Sequence, residues 1–526
     1  MAMKNFFKFA AVLLFAASCS DRLVPAGVDV EDIEGNEIRH DMIVLGDRLE
    51  DPYSVENMEK ALDAVYPTKA GRVPLKPTDY YVRFLPSGED EYDELVASGL
   101  MLVDHPVDYR IVREGDYYHD PDIAEDKITW QYAVVDKDFK FPPHIRHELL
   151  EQCYISEHDP STKSDGIDWA EVEREAFRLT GNGDMLQDGT RADDSGTPSG
   201  RITIVDSALG DEPFGVKGVK VSCNCFVKFA HAYTDKDGYY QMTRSFRSNP
   251  RYRLVFKNRL GFGIGFNLLL CPASFSTLGK HSPHGADLNV TSDSDRRLFS
   301  RCVVNNAAYD YYEQCKGTSK SIKTPPGNLR IWLFQNLSWS SALMMQQGAI
   351  IDGSALAKFL GEYTFLLKVF LPDIALGLKD AATYEEIYSR TVHELAHASH
   401  FMQVGKDYWN RYAKYILTSF VSSGFVTYGV GTEEDFGYCE VGEMWAYYVQ
   451  TVMHNERYPD NERLYGTGYW FYPQIFMYLD ERGMTRHKIF AALTSDIADR
   501  DKLRKKLTSL YPQSKSSVNL AFSRYN

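Results

Sequence analysis

Apolar and polar positions change rhythm several times along this chain, and each change marks a region. "FAAVLLFAA" (9–17) is a short unbroken apolar run. From Cys19 to about residue 74 the chain is polar and acidic with little period, which reads as a tether. Over 75–180 the pattern predicts a small α+β domain. "DYYVRFL" is an aromatic-rich strand, "EDEYDELVAS" an acidic amphipathic helix, and "LMLVDHP" and "ITWQYAVV" are further strands, with "HIRHELLEQCYI" as a closing helix. Gly, Asp and Ser dominate 181–199, the composition of a linker. Residues 200–289 alternate apolar and polar with turns every eight to twelve positions, the pattern of a β-sandwich. Within it "DKDG" (235–238) predicts a tight hairpin turn at Gly238 rather than a calcium loop, since the remaining ligands of such a loop are missing.

From 290 to 526 the period becomes helical. "SDRRLFSRCVVNNAAYDYYEQC" is a capped helix, "NLRIWLFQN" a strand, "GSALAKFLGEYTFLLKVF" a helix and "PDIALGL" a short strand. "TYEEIYSRTVHELAHASHFMQ" follows as a long helix and "CEVGEMWAYYVQTVM" as another. The fold class expected is multidomain α+β, ending in a mainly helical region with a short sheet.

Composition narrows the function classes. The chain has 526 residues, enough for about three domains. Its net charge is −15 and no Lys/Arg-rich run occurs, which argues against a nucleic-acid partner. Lys4 and Lys8 precede the apolar run of 9–17, and together they form a secretory signal over 1–18, too short to span a membrane as a mature helix. "AASC" (16–19) resembles the lipobox of Gram-negative bacterial lipoproteins, with Ala16 where Leu is usual. That resemblance implies export, a lipid on Cys19 and anchoring to a membrane, the outer one, with the face left open. Seven cysteines remain, an odd number whose spacing reveals no pairing. "CNC" at 223–225 puts two sulfurs on one face of a strand, either a metal pair or, as is commoner, two buried small side chains.

The chemistry concentrates in "TVHELAHASH" (391–400), where His393, Glu394 and His397 spell H-E-x-x-H. On a helix, positions i and i+4 lie on one face, so both imidazoles can address one ion, while Glu394 flanks it and can take a proton from water. His400 lies about 10 Å along the helix from His393 and cannot join the same ion, so it reads as a packed or surface histidine. A catalytic zinc needs a third protein ligand. Downstream, Glu443 and Ala446 form E-x-x-A, with Glu440 one turn earlier as a rival carboxylate.

These two helices resemble those of the gluzincin zinc metallopeptidases. The resemblance implies a zincin-like catalytic region over 290–526, a Zn²⁺ ion on His393, His397 and Glu443, and Glu394 as general base. It also implies a small Ala446 at the helix contact, and an edge strand ("PDIALGL") that pairs with an extended protein or peptide substrate. Tyr447 stands where several gluzincins carry an Asp that orients a zinc histidine, so that support must be built differently. Tyr428, Tyr438 and Tyr465 are candidates for stabilising the oxyanion, with Tyr438 the one chosen. The stretch 200–289 resembles the carboxypeptidase regulatory-like, prealbumin/Ig-like β-sandwich. As a whole the chain resembles exported lipoproteins of gut-type Gram-negative bacteria. The expected function is an exported, lipid-anchored zinc endopeptidase of unknown oligomeric state. The alternative is a surface binding or scaffold lipoprotein that keeps a zinc site without turnover.

Overall fold

The computed structural model describes residues 42 to 525 except 69–73, 125–126, 164–165, 187–194, 266–273, 318–320, 336–339, 343, 350–371 and 423–427. Cys19, Cys271 and the helix expected over 353–370 lie outside the described residues. The N-terminal region holds β1 (Val44–Arg48), α1 (Val55–Val65), β2 (Asp79–Leu85), α2 (Glu89–Ala97), β3 (Tyr109–Arg113), β4 (Gln131–Asp136), β5 (Arg146–Cys153) and α3 (Trp169–Leu179). Next come β6 (Ser199–Ile204), β7 (Phe214–Gly215), β8 (Lys220–Cys225), β9 (Lys228–Tyr233), β10 (Tyr239–Gln241), β11 (Arg251–Val255), β12 (Gly263–Gly265), β13 (Phe275–Lys280) and β14 (Leu288–Val290). The C-terminal region comprises α4 (Arg296–Gln314), β15 (Arg330–Phe334), β16 (Ile374–Gly377), α5 (Tyr384–Val404), α6 (Lys406–Ser422), α7 (Phe436–Arg457), α8 (Gln474–Asp480), α9 (Arg486–Ala492), α10 (Arg500–Leu510) and α11 (Lys515–Arg524). The fold is mixed α/β, with several antiparallel sheets. No described helix is long and apolar enough to cross a membrane.

Several sequence expectations change in the fold. The tether read over 19–74 is folded from residue 42: β1 pairs antiparallel with β3, and Ile43, Tyr53, Met58, Ala61 and Leu62 are buried. Val55, Met58, Leu62 and Val65 recur at three- and four-residue spacing, so the period of α1 is present in the sequence, whereas β1 forms only through its pairing with β3. "HIRHELLEQCYI" is a strand, because β5 pairs with β2 from Asp79↔Cys153 to Leu85↔Arg146, and that ladder overrides the helix preference of Leu, Glu and Gln. "LMLVDHP" contributes a single bridge, Val103↔Tyr132, and the strand forms later, at β3. At Gly238 the turn is tight, with φ +86° and a Cβ there lying 2.1 Å from the Ile202 carbonyl. It is not a hairpin, however: β9 pairs with β8 and β10 pairs with β6.

Residues 199–290 form two four-stranded groups, β13-β11-β8-β9 and β10-β6-β14 with β7 beside β6. β12 leaves them and pairs in parallel with β15, giving the sheet β12-β15-β16. Buried polar groups lock these layers to α4. Asn305 and Asn306 donate to the carbonyls of Lys217 and Gly215, each at 2.9 Å. Arg301, fully buried, reaches three places: Asp116 at 2.7 Å, the Phe275 carbonyl at 3.1 Å and Ser276 Oγ at 2.7 Å. One continuous apolar core runs from Tyr53 to Phe522 through all these layers. The described cysteines are buried free thiols, Cys223 and Cys225 among them.

Replacing Arg301 with Met should therefore lower stability by about 3 kcal/mol, because Asp116 and a buried carbonyl lose their donor together. Urea denaturation of wild type and Arg301→Met, followed by circular dichroism, measures the shift in midpoint.

Candidate metal centre

α5 begins where the sequence supplies a reciprocal cap. Thr383 Oγ1 accepts from the Glu386 amide at 3.2 Å, and Glu386 Oε2 accepts from the Thr383 amide at 3.0 Å. It ends at Gly405, whose φ of +82° favours glycine. Between them every residue from Thr391 to Phe401 is buried, because α5 lies among α4, α6, α7 and β16. Tyr311 on α4 donates to Ser399 at 2.8 Å, and Arg390 donates to the Gly377 carbonyl of β16 at 2.7 Å.

α7 packs antiparallel to α5. Glu385 near the start of α5 meets His454 near the end of α7 at 2.6 Å, and Trp445 Nε1 donates to the Ala396 carbonyl at 3.0 Å. Ala446, fully buried, leaves no bulk at this contact. The consequence is a buried triangle. His393 Nε2 and His397 Nε2 are 3.2 Å apart; His393 Nε2 lies 3.4 Å from Glu443 Oε2, and His397 Nε2 lies 3.4 Å from Oε1. Three ligands about 2.0–2.1 Å from one tetrahedral ion would stand about 3.4 Å apart. Taking one donor atom from each residue, the three lie within 4.8 Å of one another, close enough to share one ion, and among the described residues this is the group of His, Cys, Asp and Glu side chains that could hold a metal ion.

The shell around the triangle holds it in this pose. His393 Nδ1 donates to Gln450 Oε1 at 3.0 Å, which leaves Nε2 as the electron-pair donor. Tyr412 on α6 donates to Glu443 Oε1 at 2.6 Å. Its ring lies over Gly442, where an added Cβ would come within 3.2 Å of it. Tyr447 packs edge-on against His393 with centroids 4.5 Å apart, and Trp409 and Tyr412 flank His397 at 5.8 and 5.5 Å. Burial opposes ionisation of Glu443, but His397 and His393 outweigh it and hold the carboxyl well below its usual range. For His393 burial works against protonation, and Glu443 and Glu394 reverse the balance to raise its pKa. In His397 burial wins and lowers it. Glu394, 1% exposed, stays outside the triangle but near enough to His393 to act on its charge.

The other candidates fall elsewhere. Glu440 is bound to Arg500, with Oε1 3.3 Å from Nε and Oε2 accepting from the amide at 3.2 Å, so it caps α10. Tyr438, half-buried, packs on Tyr408 at 4.6 Å and under the Arg411 guanidinium, not beside the imidazoles. This corrects its choice as oxyanion stabiliser: it sits more than a full turn before Glu443, where α7 faces α6. Tyr465 is 40% exposed and near Tyr525. Tyr428, with φ +65°, places its hydroxyl 3.1 Å from that of Tyr447, one ring removed from His393. His400 is the packed histidine: among the described residues neither ring nitrogen has a hydrogen-bond partner, and burial pushes its pKa down to about 3.

The expected edge strand is also corrected. β16 has one side on β15, and its other side is taken by Ser341 and Met344 of the chain itself. Ser341 exchanges both backbone hydrogen bonds with Ala375 at 2.8 and 2.9 Å, and the Met344 amide donates to the Asp373 carbonyl at 3.0 Å. Gln450 and Tyr412 were missed in the sequence. Gln450 lies two helical turns after Glu443, a spacing that could have pointed to it, whereas Tyr412 belongs to a different helix and carries no such signal.

Gln450→Ala and Tyr412→Phe should each weaken metal binding about 10–100-fold, as loss of a group that orients a ligand does. Glu440→Gln should leave metal binding unchanged. Competition against a chromogenic chelator checks all three.

Comparison with protein-family models, with curated proteins and with solved structures found no match to this chain, so the reading of the centre rests on its own geometry.

Proposed function

We propose that this protein is a zinc-dependent hydrolase of gluzincin type, acting on peptide bonds in a protein or peptide substrate. The observation that carries the reading is the triangle of His393, His397 and Glu443, with Glu394 adjacent on the same helix yet outside it. Two imidazoles and one carboxylate form the donor set of many catalytic zinc sites, and three protein ligands leave one position for chemistry. A zinc ion held there supplies Lewis acidity. Glu394 takes the proton of the attacking water and returns it to the departing amine. Gln450 fixes the tautomer of His393, and Tyr412 fixes the orientation of Glu443. Zincin-like architecture for 290–526 and a prealbumin/Ig-like sandwich for 200–289 belong to the same proposal. So does export as a lipoprotein anchored through Cys19.

A second reading, a binding or scaffold lipoprotein with a structural zinc site, is favoured by one observation. His393, Glu394, His397 and Glu443 are at most 3% exposed, and closed sites are the structural kind. Among the described residues the rings that flank the imidazoles, Tyr447, Trp409 and Tyr412, come from α6 and α7, so the helical region itself contributes to this enclosure. An intact Glu394 favours turnover, because a structural site needs no base.

Glu394→Gln should keep one zinc per chain and lose peptide hydrolysis by about 10²–10⁴-fold. Glu443→Ala should lose zinc. Elemental analysis beside a peptide-library digest separates the two readings: zinc without cleavage in wild type leaves the scaffold. For the anchor, mass spectrometry of the membrane fraction should find a lipid-modified Cys19 as the mature N-terminus, and an unmodified N-terminus elsewhere in a soluble product refutes it.

A further inference from the structure

A basic cavity of about 330 Å³ lies where the N-terminal region meets the sheet β13-β11-β8-β9. Arg110 and His105 line one side, and Arg251, Arg253 and Lys280 the other, while the acidic side chain on its wall is Asp184. Four cationic groups around one hollow are unusual in a chain of net charge −15. Arg253 is the most telling of them. It is only 6% exposed, and the partners of its guanidinium are neutral: Asn224 Oδ1 at 2.9 Å and His105 Nε2 at 3.0 Å. His105 accepts at Nε2, so it carries its proton on Nδ1, which meets Asp104 at 2.8 Å. Asp104 is thus one ring removed from the guanidinium and is also taken up by the Tyr118 amide at 2.5 Å. Arg251 is paired with Glu114, and burial together with Arg251 holds the pKa of Arg253 down to about 10. Lys280 is exposed.

A second hollow of about 340 Å³ shares Asp184, Met185, Asn249 and Lys280 with the first and continues to His281 and Ser282. Its wall is largely polar. A guanidinium buried on neutral partners, with a lysine at the mouth, is the arrangement that an oxyanion completes with charge-assisted hydrogen bonds. We propose that this cavity binds an oxyanion group, whether carboxylate, phosphate or sulfate, carried on a small hydrophilic solute that extends along the second hollow. Arg253 and Lys280 are its counter-charges. The site is separate from the metal centre and does not depend on the hydrolase reading.

Calorimetric titration of the full chain with sodium sulfate, phosphate and acetate at constant ionic strength tests this. Wild type should bind at least one of these ions saturably, at one per chain. Lys280→Gln should bind it at least about tenfold more weakly, the change expected from losing a charge-assisted hydrogen bond, and Arg253→Gln more weakly still. Lys280 is exposed, so its variant decides the matter even where Arg253→Gln does not fold. Lys236→Gln, on the surface turn before β10, should bind as wild type does. Tighter binding of phosphate or sulfate than of acetate assigns a tetrahedral oxyanion, and the reverse assigns a carboxylate. No saturable binding of any of the three, or equal binding by Lys280→Gln and wild type, overturns the proposal.

Discussion

Two imidazole nitrogens and a carboxylate, all buried, converge where α5 and α7 cross, each nitrogen 3.4 Å from its own oxygen of the carboxylate. Groups that offer electron pairs do not gather in a dry interior without a cation or a proton to reconcile them, since each has given up water to be there. Ala446 and Gly442 keep α7 slim at the crossing, and the Trp445 indole bonded to the Ala396 carbonyl fixes how the helices slide against each other. A larger residue at either small position would push Glu443 or the Tyr412 ring away from the imidazoles. The centre therefore depends first on helix packing and only then on ligand identity.

The rest of the chain makes that packing rigid. α5 is held on four sides, by α4 through Tyr311 and Ser399, by β16 through Arg390, by α6 through the Trp409 and Tyr412 rings against His397, and by α7 through Trp445. α4 is in turn fixed to the strands by Asn305, Asn306 and Arg301, polar side chains that are buried because each satisfies backbone or charged partners. Lys228 extends the same logic to the N-terminal region, lying 2.5 Å from Glu157 and 3.5 Å from Glu173. The regions that the sequence pattern separates are thus mechanically continuous. β12 shows this most directly, because it arises among the strands of 199–290 and completes the sheet that supports the motif helix.

Glu440 and Glu443 illustrate how one turn of helix separates two roles. Both are buried carboxylates on α7. Glu443 faces α5 and meets imidazoles that lower its pKa, whereas Glu440 faces α10, where burial raises its pKa despite Arg500. The neighbours of each, not its own residue type, decide which carboxylate belongs to the centre.

Much of the centre was legible along the chain because its signals are local. Two histidines four residues apart share a helix face by geometry alone. The E-x-x-A spacing pointed to Glu443 and Ala446, and the helical and strand periods around them placed α4, β15, α5 and α7. Tertiary structure alone decided the rest. It sent Glu440 to Arg500, brought in Tyr412, set Tyr438 aside and covered the free side of β16 with Ser341 and Met344. It also turned "HIRHELLEQCYI" into a strand and paired β1 with β3. Each of those outcomes depends on a partner distant in sequence, and a partner of that kind leaves no period or spacing for the sequence to show.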